Sequence, residues 1–183
     1  MASVSAVLAG KTLNLRIVEK EDLPLIAEWS NNPDFFGEYD PIRQTSRSET
    51  EKMLETPYEM KTFIVEKKEG TKIGVIYHYH VLHPAHRQLE IGFSLLPNER
   101  GKGYCTEAVR LLVDYLFLSR DTTRIQAFTD PRNLACQKVL EKGGFKKEGI
   151  LRKWIFIRGE LRDSYPYSIL REDWKEPKKL VTK

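Results

Sequence analysis

Cysteine is nearly absent from this chain. It has two, Cys105 and Cys136, too few for a disulfide framework and without the paired spacing of a zinc site. Such usage suits a reducing compartment. Long apolar runs are missing as well: no stretch reaches 18 residues, and the Met1 to Gly10 start lacks the charged and apolar segments of a signal peptide. A soluble, cytoplasmic protein with no membrane partner is expected. Charge of one sign is scarce, because 30 Lys and Arg against 26 Asp and Glu leave +4, interspersed along the chain. Lys175, Lys178, Lys179 and Lys183 cluster near the end, a pattern best read as a solvated tail, so no specific nucleic acid is expected. Nucleotide loops are lacking too. No Gly-x-x-x-x-Gly-Lys-Ser/Thr occurs, and a dinucleotide fingerprint would need a third glycine where Thr106 stands. What remains is 183 residues, 40% hydrophobic, enough for one sizeable core. The expectation is a single domain over 1–183, with a core of about 11–173 and flexible tails at 1–10 and 174–183.

What is present is a basic, glycine-rich turn joined directly to an amphipathic helix: Arg100-Gly101-Lys102-Gly103-Tyr104-Cys105-Thr106-Glu107-Ala108. Upstream, Leu89 to Leu96 reads as a strand ended by Pro97-Asn98, and downstream Ala108, Leu111, Leu112, Tyr115 and Leu116 recur at helical spacing. Glycines at 101 and 103 let the backbone approach a ligand, while the first helical amides point outward with the positive end of the dipole. A phosphate or pyrophosphate fits there.

Other elements follow from spacing. Leu13, Leu15 and Ile17 alternate as a strand, and Leu23, Ile26, Ala27 and Trp29 follow on a helix. Asn31 to Thr45 reads as a loop, and Ser46-Arg47-Ser48-Glu49 has capping-box form before a short helix through Leu54. Phe63 to Val65 and Ile73 to Val81 form a hairpin around Lys67-Lys68-Glu69-Gly70. Glu90 to Leu95, a helix over 103–118, Arg124 to Thr129, a helix over 133–142 and strands over 145–157 and 161–170 complete the order. The fold class expected is α/β of the α+β kind, a mixed, largely antiparallel central sheet flanked by helices.

The loop resembles the acyl-CoA loop of the GNAT N-acetyltransferase superfamily, whose pattern Arg/Gln-x-x-Gly-x-Gly/Ala is met by Arg100 and Gly103, with Cys105 in the last place. The continuation Gly-Tyr-x-Thr-Glu-Ala is similar to the ribosomal-protein N-terminal acetyltransferase (Rim-type) branch. Asp130 to Phe145 resembles that branch's second motif, with Asn133 opening a helix and Cys136 standing where the family has Ser. The likeness spans roughly 13–173.

The resemblance implies the acyl-CoA N-acyltransferase fold and transfer of an acetyl group from acetyl-CoA to a primary amine, either a protein N-terminus or a small amine. Phe93, Ser94 and Leu95 are then expected to present the main-chain donor to the thioester carbonyl. Arg100, Gly101, Lys102, Gly103, Tyr104, Cys105, Thr106, Asn133 and Lys138 are expected to hold the cofactor. Glu90, facing opposite to Leu89 and Ile91 on its strand, is the candidate base, and Cys136 the candidate acid, with Tyr104 and Tyr167 as alternatives. Glu38 and Asp40 would join Glu90 in an acidic mouth for a cationic amine. His78 and His80 share a strand face that can hold zinc, with His83 and His86 beyond, yet no carboxylate or cysteine clusters with them. No metal is expected, and His78 is read as lining the acceptor cleft. A small-molecule N-acetyltransferase of polyamine or aminoglycoside type and a non-catalytic acyl-CoA-binding module are the alternatives, and a homodimer stays open.

Overall fold

Alternating apolar positions set the strands of this computed structural model, which describes residues 8–55, 60–81 and 87–177. Strand β1 (Leu8–Ala9) leads into β2 (Leu13–Ile17), and helices α1 (Leu23–Ser30), α2 (Pro33–Phe36) and α3 (Arg47–Glu55) follow. Then come β3 (Met60–Lys67), β4 (Lys72–His80) and β5 (Gln88–Leu95), helix α4 (Tyr104–Ser119), β6 (Arg124–Thr129), helix α5 (Leu134–Lys142), β7 (Lys146–Lys147), β8 (Leu151–Ile157) and β9 (Glu160–Leu170). The strands run in the order β1-β2-β3-β4-β5-β6-β9-β7, with β8 paired to β9. Only β5 and β6 pair in parallel among the described residues. The mixed, largely antiparallel sheet expected from the sequence is the one observed.

Each sheet face is covered by helices because each strand offers apolar residues at every second position. On one face Leu89, Ile91, Phe63 and Ile125 pack against Ala108, Val109, Leu112, Val113 and Leu116 of α4. On the other, Ile64 and Val75 meet Ile26, Trp29 and Phe35. Burying each Leu or Ile fully contributes about 1.5–3 kcal/mol before entropy is counted. The entry to α1 is clamped by charge: Arg16 donates to both carboxylate oxygens of buried Asp22 at 2.8 Å, and Lys72 Nζ reaches Oδ1 at 2.6 Å. Removing either member of such a pair strands a buried charge, at a cost of about 3–5 kcal/mol.

Four expectations are corrected. Residues 31–45 are not loop throughout, since α2 forms where Asn32 accepts from Asp34 N at 2.9 Å and Pro33 opens the helix, a position at which its missing N–H costs nothing. Buried Phe35 then stacks on Trp29 at 5.1 Å. The strand expected over 145–157 divides into β7 and β8, and a bulge between Leu151 and Ile155 accompanies Lys153 at φ 50°. The core also exceeds 11–173: Leu8 is buried in β1, and Trp174 donates through Nε1 to Asp114 at 2.7 Å and packs on Phe117.

The fourth correction concerns His78. It pairs with Ile91 across β4 and β5, which turns it towards α4 and away from the face that carries Glu90. It is 3% exposed, lies 6.3 Å from the Phe63 ring, and among the described residues neither ring nitrogen has a hydrogen-bond partner. It lines no cleft. Burial, reinforced by the charges of Arg120, His80 and Lys61, lowers its pKa to about 4. His83 and His86 lie outside the described residues.

A histidine kept neutral in the fold contributes stability that is complete above its unfolded pKa of about 6.5 and is lost as pH falls towards 4. Urea unfolding at pH 7.5 and pH 5.0 is expected to show a loss of about 2 kcal/mol from this group, and His78→Leu is expected to remove that part. A variant that keeps the whole wild-type loss would contradict the assignment.

Candidate active site

Strands β5 and β6 pair over three positions only, Gln88 with Arg124, Leu89 with Ile125 and Glu90 with Gln126. Beyond Glu90, β5 follows β4 as far as Gly74 opposite Leu95, while β6 follows β9 as far as Thr129 opposite Tyr165. The inner edges therefore diverge into a wedge. Phe93, Ser94 and Leu95 occupy the far end of one arm, and each arm leads into a helix. Arg110 ties these helices together by donating from Nε and Nη2 to Lys142 O at 3.0 and 2.6 Å.

The turn between β5 and α4 has the form of an anion cradle. Gly101 and Gly103 take φ of +76° and +87°, and a carbon added to either would meet nothing within 4 Å, so backbone shape and open space, not packing, call for glycine. The first intrahelical bond runs from Glu107 N to Gly103 O at 3.2 Å, which leaves the amides of Tyr104, Cys105 and Thr106 ahead of it. Their dipoles add to the positive end of a helix of 16 residues. At α5, by contrast, Asn133 Oδ1 accepts from Cys136 N at 3.0 Å and caps the helix.

Several side chains near the cradle are already engaged. The Arg100 guanidinium donates to Leu95 O at 3.0 Å, Asp34 O at 2.9 Å and Phe35 O at 2.8 Å. It fastens α2 to the end of β5, so only its main chain faces the turn. Lys102 Nζ lies 3.1 Å from Glu99, which also accepts from Lys67 at 2.9 Å, and Lys67 sits 5.5 Å from the Tyr104 ring. Lys138 is exposed on α5. Burial pushes the Cys105 thiol far above its ordinary value.

The sheet face opposite α4 carries a second group. Glu90 is half-buried at the vertex of the wedge, accepts from the Tyr79 hydroxyl and from Gln126 Nε2, the latter at 3.2 Å, and stands opposite Tyr79 in register. Tyr77 stacks on Tyr79 at 6.4 Å and lies so close over Gly92 that an added carbon would be 2.3 Å from its ring. Burial raises both tyrosine hydroxyls, with the charge of Glu90 adding to it. Asp40 is half-buried, and burial lifts its carboxyl against the nearby Arg43; its charge acts on Tyr77 and Cys136. Cys136 is hydrogen-bonded to Thr129, but burial pushes its thiol up to about 11.

The charge of Asp40 thus acts on Cys136 and on Tyr77, which Glu90 also influences, while Glu38 stands apart. It is exposed, bonds the Tyr39 hydroxyl and faces Arg132. Tyr167 is 1% exposed, packed in the core with its hydroxyl 3.2 Å from Glu141. Tyr79, Gln126, Thr129 and Arg43 were not singled out from the sequence. Alternation on β4 placed Tyr77 and Tyr79 on one face, but only the register with β5 sets them against Glu90.

An acetyltransferase (GNAT) domain matches residues 12–146. The chain belongs to the GNAT acetyltransferase family. It is 37% identical over 180 residues to the “Probable N-acetyltransferase YjcK” of Bacillus subtilis, covering 91% of this chain and 98% of that protein. The solved spermidine N-acetyltransferase of Vibrio cholerae, in complex with CoA and spermine, superposes with a TM-score of 0.79 at 25% identity, over 88% of this chain and 97% of that one. The ribosomal-protein-S5-alanine acetyltransferase of Vibrio fischeri gives 0.79 at 26% identity, over 92% and 99%. The likeness includes the Rim-type branch. The GNAT enzyme uses acetyl-CoA as co-substrate. Among the described residues no group of three or more His, Cys, Asp or Glu is arranged to hold a metal ion, and no helix is long and apolar enough to cross a membrane.

A branched side chain at position 103 would fill the open space and strain a left-handed backbone. Gly103→Val is expected to weaken acetyl-CoA binding at least tenfold, about 1.4 kcal/mol, in calorimetry of a variant whose circular dichroism is unaltered. Unchanged affinity in that folded variant would contradict the cradle.

Proposed function

We propose that this enzyme acetylates a primary amine held between Asp40, Tyr77 and Glu90, with Glu90 as the base, and that the acceptor is a polypeptide N-terminus. The observation that carries the reading is the position of Glu90. As the last β5 residue paired to β6, it puts a carboxylate where the wedge opens. Tyr79 and Gln126 fix its orientation from the two neighbouring strands.

In this reading the pyrophosphate of acetyl-CoA rests on the amides that open α4, and the pantetheine arm runs between the strands towards Glu90, beside Asn133 and the start of α5. The amine arrives as an ammonium ion drawn by Asp40 and Glu90. Glu90 takes one proton, directly or through a water, and the freed lone pair attacks the thioester carbon. Main-chain N–H groups of Phe93 to Leu95 stabilise the oxyanion as its C–S bond breaks. The second amine proton ends on the departing sulfur. An ordinary thiol has a pKa of about 8.5, so Cys136, held at about 11, is the weaker acid and is read as a wall of the site.

Arg43 beside Asp40 makes the mouth less acidic than three carboxylates would, which disfavours a long polycation. Exposed Ile42, Trp154, Phe156 and Leu161 add apolar surface that a peptide can cover. Ile42 lines one shallow pocket with Asp40 and Arg158, and Trp154 stacks on Phe128 of β6. A small amine is the second reading, supported by the likeness to a spermidine acetyltransferase.

Release of free CoA thiol from acetyl-CoA separates these readings when purified protein meets an Ala-initiated hexapeptide, spermidine and an aminoglycoside. The peptide is expected to turn over fastest; release with none of the amines would favour a binding module. Glu90→Gln is expected to lower turnover about 10²-fold while acetyl-CoA affinity stays nearly constant, and Cys136→Ala to keep turnover within about threefold. Wild-type turnover in Glu90→Gln would move the base elsewhere.

A further inference from the structure

Asp130 directly follows β6 and is 6% exposed. Its Oδ1 accepts from Arg132 N and Arg132 Nε, both at 2.9 Å, and its Oδ2 from Arg132 Nη2 at 2.8 Å. Arg162 Nη1 lies 3.7 Å from the same Oδ2. The two guanidiniums that this carboxylate orients both touch the segment before Asp40. Arg162 Nη1 donates to Glu38 O at 3.3 Å, and Arg132 sits over the Tyr39 ring at 5.7 Å. Arg158 Nη2, 3.5 Å from Gly37 O, completes the grip. On its other side Asp130 shapes the start of α5, since its carbonyl accepts from Asn133 N at 2.9 Å.

We propose that Asp130 is a positioning residue that fixes residues 37–40, and through them Asp40, in register with the N-terminus of α5. The proposal rests on the reading of Asp40 as an acceptor-side carboxylate. Two guanidiniums on one buried carboxylate would repel each other without it, and the grip on Glu38 O and the Tyr39 ring would loosen. The wedge between β5 and β6 does not depend on those contacts, because each arm is held by its outer strand. Loss of the Asp130 charge therefore acts on the amine and spares acetyl-CoA. A displacement of about 1 Å in a reacting group's support is enough to show in kinetics.

The test is steady-state kinetics with acetyl-CoA and either spermidine or the Ala-initiated hexapeptide, whichever releases thiol faster. Asp130→Asn keeps an Oδ1 acceptor for Arg132 N and Nε, removes the charge and turns the Oδ2 acceptor that faces Arg132 Nη2 and Arg162 into an amide donor. It is expected to raise the KM for the amine at least fivefold, with kcat and the KM for acetyl-CoA within twofold. Arg162→Gln should do the same, and the double variant should be no worse than the more impaired single one, because both act through one contact. Should Asp130→Asn fail to fold, Arg162→Gln and Tyr39→Leu carry the test with the same expectation. Multiplying effects in the double variant, or a rise in the KM for acetyl-CoA with a fall in kcat, would overturn the proposal. An amine KM unchanged in Asp130→Asn but raised in Asp40→Asn would overturn it and leave the acceptor reading standing. If Asp40→Asn itself left the amine KM unaltered, the acceptor reading would fall, and the proposal with it.

Discussion

Backbone N–H and C=O groups must be paired somewhere, and two adjacent strands that part after three residues leave two facing edges without each other. Here the edges belong to β5 and β6, and each stays straight because its outer neighbour holds it, β4 on one side and β9 on the other. The wedge is thus rigid at both walls. Each wall ends in a helix N-terminus, so the positive ends of α4 and α5 flank the same opening. A ligand with an amide-bearing chain and a pyrophosphate at its far end complements such a gap, which is the shape of acetyl-CoA, the co-substrate of this family.

Charge is distributed differently around the glycine turn and on the sheet face that carries Glu90. Around the cradle the basic side chains are largely engaged: Arg100 with three carbonyls, Lys67 and Lys102 with Glu99. Main-chain amides are left as the fixed donors, and fixed donors lose no side-chain entropy when an anion arrives. The opposite face offers carboxylates instead, Glu90 held by two neighbours and Asp40 lifted by burial. A raised Asp40 reaches its neutral form at higher pH than an ordinary aspartate, so in the proposed acceptor role its attraction for an ammonium would weaken early as pH falls. Elsewhere two buried carboxylates are fully engaged by guanidiniums, Asp22 by Arg16 and Asp130 by Arg132.

The glycine turn and most of the elements along the chain were legible because they rest on local signals. Glycines 101 and 103 need left-handed backbone, and Asn133 caps its helix within three residues. The rest depends on partners distant in sequence. His78 and His80 share a face by simple alternation, but whether that face is core or cleft follows from His78 standing opposite Ile91. Tyr79 and Gln126 meet Glu90 across two different strand pairings, which no spacing encodes. Helix α2 was hidden because Pro33 breaks a helix interior yet suits a first turn. Glu38 and Asp40, two residues apart, differ in environment, since Glu38 is exposed beside Tyr39 and Asp40 is half-buried.

Amide hydrogen exchange with and without acetyl-CoA addresses the wedge most directly. The account predicts slowed exchange confined to Ile91 to Leu95 and to Tyr104 to Thr106, with the centre of β3 unchanged. Protection elsewhere in the chain, with exchange in those two segments unaltered by saturating acetyl-CoA, would contradict it.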